Sequence, residues 1–216
     1  MTSGAWHAVA TLTDPQRRAL YEYVRTRRQP VTREEAAHAQ RISRNLAAFH
    51  LDKLVDAGLL RARYETPSDQ PRGRGRTPKV YEPADDDVMV SIPERRYQFV
   101  AEILAKAVTD PGDDVRSAAM RIAAERGQQL GQGITTAGST SDALVATMAD
   151  LGFEPAREDG SVVLRNCPFH GLARLYPELV CGLNHAFVSA ILDGLGSPLR
   201  ADLVPRPDAC CVQLRA

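Results

Sequence analysis

The 216-residue sequence predicts an α+β protein in three parts: a helical head closed by a basic hairpin over residues 1–85, a helical stretch over 86–140, and a small α/β part over 141–216. Three observations lead there. Capped helical stripes follow one another at short intervals up to Gly58. The pattern then switches to an alternating stretch and, beyond a turn-rich, arginine-bearing loop, to an extended one. From Ser141 onward helix and strand patterns mix, and all four cysteines fall at or after position 167.

Composition narrows the class. An apolar fraction of 44% with 25% charged residues is that of an ordinary globular chain and excludes wholesale disorder. No apolar run approaches the roughly 20 residues that cross a bilayer, and "MTSGAWHAVATLTDPQRR" lacks the basic flank and apolar core of a signal peptide. The expectation is a cytoplasmic protein without a membrane partner, in which cysteines serve as thiols, metal ligands or redox groups rather than as disulfides. Net charge is zero but unevenly placed: Met1–Glu82 carries 15 Lys or Arg against 9 Asp or Glu, and the remainder 12 against 18. A head of +6 on a body of −6 turns one surface towards phosphates while the whole stays soluble.

In the head, Thr13 or Asp14 caps a first helix with Pro15 at its first position, and Leu20, Tyr21 and Val24 recur at helical spacing until Pro30 ends it. Thr32 and Glu35 have the capping-box spacing and open a short second helix through about Ala39. Ser43 caps a third, with Leu46, Ala47, Leu51, Leu54 and Val55 as its apolar stripe and Gly58 as its stop. The three or four residues between the second and third helices are the length of the turn in a helix-turn-helix, whose last helix can enter a major groove. "LLRARYE" and "KVYEP" then read as the strands of a hairpin around "TPSDQPRGRGRTP", completing a winged helix-turn-helix.

The stretches "NLAAFHLDKLVDAGLL" and "GRGRTPKVYEP" resemble the ArsR-type winged-helix regulators over roughly the first 85 residues. That resemblance implies a double-stranded DNA operator as partner. On the third helix, Ser43, Arg44, Asn45, Phe49, His50 and Lys53 lie off the apolar stripe. Ser43 sits where backbone N–H groups meet a phosphate, Arg44 and Asn45 have the chemistry to read guanine and adenine, and Phe49 either touches a thymine methyl or packs in the core. Lys53 is a phosphate contact or a solvated charge. Arg72, Arg74 and Arg76 at the hairpin tip suit a minor groove or the DNA backbone.

The middle stretch has Tyr97, Val100, Ile103, Leu104 and Val108 at helical spacing, followed by an Ala-rich amphipathic pattern over "DVRSAAMRIAAERGQQLGQGI". Such stripes either pair between subunits, as a homodimerisation linker reading two half-sites, or serve the chain's own core.

In the tail, "SDALVATMADLG" reads as helix, "FEPARED" and "SVVLRNC" as a hairpin about Asp159–Gly160, the segment after Cys167 as two helices, and "RADLVP" and "CCVQLRA" as strands. Cys167, Cys181 and Cys210 fall at element ends, where distant stretches converge. Their spacing, with "PELVC" around the second and a late cysteine before a terminal strand, resembles the SufR-type iron–sulfur-responsive repressors. The resemblance implies an iron–sulfur cluster that modulates operator binding. One departure stands out: a cysteine midway between the second and last, present in some of those repressors, is absent here.

The fourth ligand is then His170, His185 or Cys211. Neighbours on a strand point to opposite faces, which sets Cys211 aside beside Cys210 and makes His170 the first choice, giving Cys167, His170, Cys181 and Cys210 as the candidate metal set. Such a set suits zinc as well as a cluster. Other readings are thiol oxidation, cysteines that merely pack, and an organic effector bound by the tail. An enzyme with Cys167 or Cys181 as nucleophile and His170 or His185 as base lacks an adjacent acidic orienting residue, and no phosphate loop or dinucleotide fingerprint is present.

Overall fold

A computed structural model describes the chain except residues 1–2, 28, 66–76, 86, 111, 113, 136–138, 159 and 207–208. Arg72, Arg74 and Arg76 therefore lie outside the described residues. The protein is α+β and divides into two compact units, Met1–Val90 and Ser91–Ala216.

The first unit runs α1 (Ser3–Thr11), α2 (Pro15–Thr26), β1 (Val31–Thr32), α3 (Arg33–Gln40), α4 (Arg44–Asp56), β2 (Leu60–Tyr64) and β3 (Lys79–Pro83). Of the two capping choices for α2, Asp14 is the one used: its carboxylate accepts from the N–H groups of Gln16 and Arg17 at 2.8 and 3.0 Å. Those bonds, the Arg17 backbone bond foremost, hold its pKa below the usual carboxylate value. The capping box of α3 forms as the spacing requires, Glu35 N–H donating to Thr32 Oγ1 at 3.2 Å and Thr32 N–H to Glu35 Oε2 at 2.7 Å. Arg41, left-handed at φ 54°, closes α3, and Ser43 Oγ accepts from Leu46 N–H at 3.2 Å to open α4. Gly58, at φ 72°, supplies the left-handed turn that sends the chain from α4 into β2.

The strands form an antiparallel sheet of order β1-β3-β2, with Leu60 opposite Pro83 and Tyr64 opposite Lys79. Leu20, Val24, Leu51, Leu54, Leu60 and Tyr81 make the core beneath it. Two elements are additional to those the sequence suggests. "SGAWHAVAT" becomes α1 although small and apolar residues surround its axis and give little amphipathic contrast; Ala8 joins the core. Two-residue β1 exists only because β3 offers it a partner.

The second unit contains α5 (Tyr97–Thr109), α6 (Val115–Gly133), α7 (Thr140–Asp150), β4 (Pro155–Glu158), β5 (Ser161–Leu164), α8 (His170–Leu175), α9 (Pro177–Leu195), β6 (Arg200–Leu203) and β7 (Val212–Arg215). Its antiparallel sheet has the order β4-β5-β7-β6. Here the division differs from the three-part reading. The helices assigned to a separate stretch at 86–140 share one core with the tail: Val100, Ile103, Ala118 and Ile122 are buried with Leu164, Val180, Phe187 and Leu214. A stripe of Ala and Gly demands a closely approaching partner helix, and α9 of the same unit fills that need.

The contact between α6 and α9 is nearly backbone to backbone. A Cβ added at Gly127 would collide with the Phe187 carbonyl oxygen, and one at Gly131 with that of Ile191. From the other side, one at Gly194 would stand 2.6 Å from the Gln128 carbonyl oxygen. Helix α9 is long and apolar enough to cross a membrane by length and composition, contrary to the sequence reading, but its Val180, Leu183, Phe187, Val188 and Ile191 are buried as the unit's central helix.

Candidate functional site

Helix α4 presents two unlike sides. Ala47, His50, Leu51 and Leu54 are buried, while Ser43, Arg44, Asn45, Phe49 and Lys53 are exposed. Phe49 is 54% exposed, which removes the core-packing alternative for it. His50 is a correction: it is 7% exposed, with its ring edge against Phe49 and its Nδ1 buried without a hydrogen-bond partner, so it does not share the open face. Leu46, placed on the apolar stripe by its type, is instead 41% exposed. The reason is helical phase: 47, 50, 51 and 54 complete one i, i+3, i+4, i+7 row, and a methyl-sized Ala47 anchors it better than Leu46.

The helix is fixed to the sheet by Asp52, whose Oδ1 accepts from Lys79 Nζ at 2.6 Å and from the Tyr81 hydroxyl at 2.9 Å. Burial first, then this bond to a carboxylate, pushes the Tyr81 pKa up. Lys53, exposed, pairs with Asp56 at 3.6 Å. The open face thus offers one guanidinium, one carboxamide and one aromatic ring on the first two turns of a helix whose other side is locked.

In the second unit the four cysteines converge, all as free thiols. Cys167 follows β5, Cys181 is in the second turn of α9, and Cys210 and Cys211 precede β7, which begins at Val212. That last point overturns the argument from strand alternation. Cys210 N–H donates to the Leu164 carbonyl at 2.8 Å, while the Cys211 carbonyl accepts from Val204 N–H at 2.7 Å. A bend at this place frees the pair from the alternation of an extended strand, so both thiols join one group.

The thiols influence one another's ionisation in sequence, Cys167 with Cys210, Cys210 with Cys211, and Cys211 with Cys181. They follow one another rather than surrounding one point: among the described residues no three His, Cys, Asp or Glu side chains are arranged to hold a metal ion. Asn184, one turn after Cys181 and 2% exposed, donates Nδ2 to Cys210 Sγ at 3.1 Å, leaving its buried Oδ1 without a partner.

Among the described residues no histidine is hydrogen-bonded to these sulfurs. His170 is exposed at the start of α8, and its part here is a backbone N–H donated to the Cys167 carbonyl at 3.0 Å. His185 Nε2 is 2.9 Å from the Ala201 carbonyl, engaged with β6. Cys211 thus stands where His170 was expected. Asn184 went unnoticed in the sequence, although its i+3 spacing from Cys181 was a usable signal.

Three of the thiols, Cys167, Cys181 and Cys210, are shifted upward from the ordinary thiol value. The hydrogen bond to Cys210, then burial, raises Cys167 well above the thiol range, against the opposing pull of the Phe169 N–H and Arg95. For Cys181 burial dominates upward, and the bond from Cys211 opposes it. For Cys210 the largest influence, the bond from Cys167, acts downward; the bond to Cys211, burial and the nearness of Cys211 outweigh it and the pKa is pushed up to about 12.

A raised pKa means that the folded chain holds a proton the unfolded chain gives up. The stability it contributes is full below the unfolded thiol value of about 8.5 and declines as pH climbs towards about 12. Urea unfolding of reduced, metal-free protein at about pH 8 and about pH 10.5 is expected to give a lower unfolding free energy at the higher pH. The decline should be smaller in Cys210→Ala; equal declines would remove this thiol as the cause.

No protein-family model matches the chain, and no curated protein matches it.

Proposed function

We propose that the chain is a DNA-binding transcription regulator, a repressor acting as a homodimer, whose first unit is a winged helix-turn-helix and whose second unit is an α/β sensor holding an iron–sulfur cluster, or zinc in the alternative. The observation that carries the reading is the two-sided α4. Arg44, Asn45 and Phe49 stand exposed on its first turns behind a Ser43 cap, while Leu51, Leu54 and the Asp52 bonds lock its other side to the core and sheet. The basic balance of the first unit and the arginines between β2 and β3 accord with it. In such a head α3 and α4 are the helix-turn-helix, and the β2–β3 hairpin is the wing.

By residue type the donor set suits a thiophilic centre, although among the described residues no three of its side chains are arranged around one point. Cys167, Cys181, Cys210 and Cys211 would hold it, and the Asn184 N–H is the kind of outer hydrogen bond that sulfur ligands keep. An iron–sulfur cluster, when bound, supplies a sensitivity to oxidation and iron supply that a bare thiol group lacks. The residues themselves supply soft ligands from three separate stretches, a mostly buried setting, and protons that must leave before any metal binds.

An organic-effector reading has one observation in its favour, a cleft of about 440 Å³ in the first unit lined by Leu12, Tyr21, Arg25, Leu59 and Met89 among others. Metal and sulfide analysis of anaerobically purified protein separates the readings, with DNA binding measured on the same sample before and after chelation. Brown, sulfide-bearing protein supports the cluster, colourless zinc-bearing protein supports zinc, and metal-free protein that still binds DNA supports the effector.

For the head, Arg44→Ala is expected to cut discrimination between preferred and altered operator bases about tenfold or more, since a bidentate arginine–guanine contact carries that much selectivity. Selection from a random duplex pool followed by competition binding measures it. Unchanged base preference would remove Arg44 from the reading surface.

A further inference from the structure

The chain leaves the first unit at Val90 and enters the second at Ser91, and Glu94, Arg95 and Arg96 shortly after are hydrogen-bonded to the stretch 166–168 bearing Cys167. Arg95 is the knot. Its Nη1 donates to the Asn166 Oδ1 at 2.7 Å, to the Cys167 carbonyl at 3.0 Å and to the Glu94 carbonyl at 3.3 Å. The Arg95 N–H donates to Ser91 Oγ at 2.7 Å, which curls the entering segment on itself. Next to it, the Arg96 N–H donates to the Pro168 carbonyl at 3.0 Å.

Asn166, 8% exposed, holds the other end: its Nδ2 donates to the carbonyls of Gly152 and, at 3.4 Å, of Glu94. Arg95 is also the cation that acts on the Cys167 sulfur. One side chain therefore touches the entering chain, the buried asparagine and the backbone of a thiol residue.

We infer that Arg95 is the positioning residue through which the state of Cys167 reaches the segment leading back to the first unit. The inference rests on the sensor reading above and deepens it by naming its route. The physical reason is that a planar guanidinium shared among three acceptors cannot follow one without straining the others. A centre that takes the Cys167 sulfur draws on the Cys167 carbonyl through one residue of backbone, and Arg95 passes that displacement to Glu94 and Asn166. Among the described residues, Cys167 is the cysteine whose backbone Arg95 holds.

The test uses the full chain as wild type, Arg95→Gln and Arg95→Lys. Each is prepared metal-free and loaded with Co(II), whose thiolate absorption reports occupancy, and the DNA probe is a duplex that wild type selects from a random pool. All three proteins are expected to take up Co(II) with the same spectrum. Loading should change wild-type DNA affinity about tenfold, within the usual span of site–site coupling, and the change should shrink to under about threefold in both variants. Amide exchange over 92–96 should differ between loaded and metal-free wild type and be alike in the two states of Arg95→Gln.

A variant that keeps the wild-type change in affinity overturns the inference, and so does wild-type exchange over 92–96 that ignores Co(II). Altered Co(II) spectra in both variants also overturn it, because Arg95 would then be shaping the site rather than relaying its state. Wild type that takes up no Co(II) overturns the sensor reading itself, and that failure is seen before any variant is compared.

Discussion

Cys211→Ser is expected to lower uptake of zinc or of an iron–sulfur cluster by more than the about 100-fold that loss of an outer hydrogen bond costs, whereas His170→Ala leaves uptake unchanged. The expectation follows from which groups meet. Cys211 is close enough to both Cys181 and Cys210 to shift their ionisation, linking the thiol of α9 to those beside β5 and β7. Removing it takes away one ligand and also the link between the remaining sulfurs. The His170 imidazole is exposed and acts on none of the four. Titration with Co(II) under reducing conditions, together with iron and sulfide content after anaerobic purification, measures both variants. The opposite order, with His170→Ala impaired and Cys211→Ser intact, would return the fourth ligand to the histidine. Equal, undiminished uptake in both would leave the thiol group without a ligand role.

The largest stability effect is expected at Gly127→Ala. In an open helix the change would gain about 1 kcal/mol from propensity. Here the new methyl meets the Phe187 carbonyl oxygen and the Ala190 side chain of α9, and neither backbone can yield without the other helix moving. Overpacking of this kind costs about 3 kcal/mol, and a clash with backbone rather than with a flexible side chain places it at the high end. Gly133→Ala is the control. It lies at the end of the same helix with nothing near its missing Cβ, so it should be neutral or slightly stabilising. Denaturant midpoints for the two variants should move apart; a Gly127→Ala protein as stable as wild type would contradict the close approach of α6 and α9. Because α9 also carries Cys181 and Asn184, the same variant should loosen the thiol group.

Local chemistry was readable from the residue order. Asp14 before Pro15, Thr32 with Glu35, Ser43 and Gly58 each specify a helix end through bonds between residues at most a few positions apart, and every one of those ends occurs. The alternation of "LLRARYE" and the extended character of "KVYEP" likewise marked two strands, and the two pair in one sheet. What each face meets was not readable. Leu46 and His50 exchange places because burial on α4 depends on where α2 and the sheet lie, a matter of a fraction of a turn. The Ala and Gly stripe of α6 announced a close partner without saying which, and α9, some sixty positions further on, supplied it.

The cysteines show the same division. Their type and their clustering late in the chain announced soft-ligand chemistry, because sulfur carries that property wherever it sits. Which sulfurs meet was decided by tertiary structure. Hydrogen bonds from Cys210 to Leu164 and from Val204 to Cys211 hold a bend just ahead of β7, and that bend brings together two neighbours that an extended strand would have pointed apart. Those bonds join residues 46 positions apart in one case and seven in the other. Backbone pairing at such separations is set by how the sheet assembles, which no local pattern encodes.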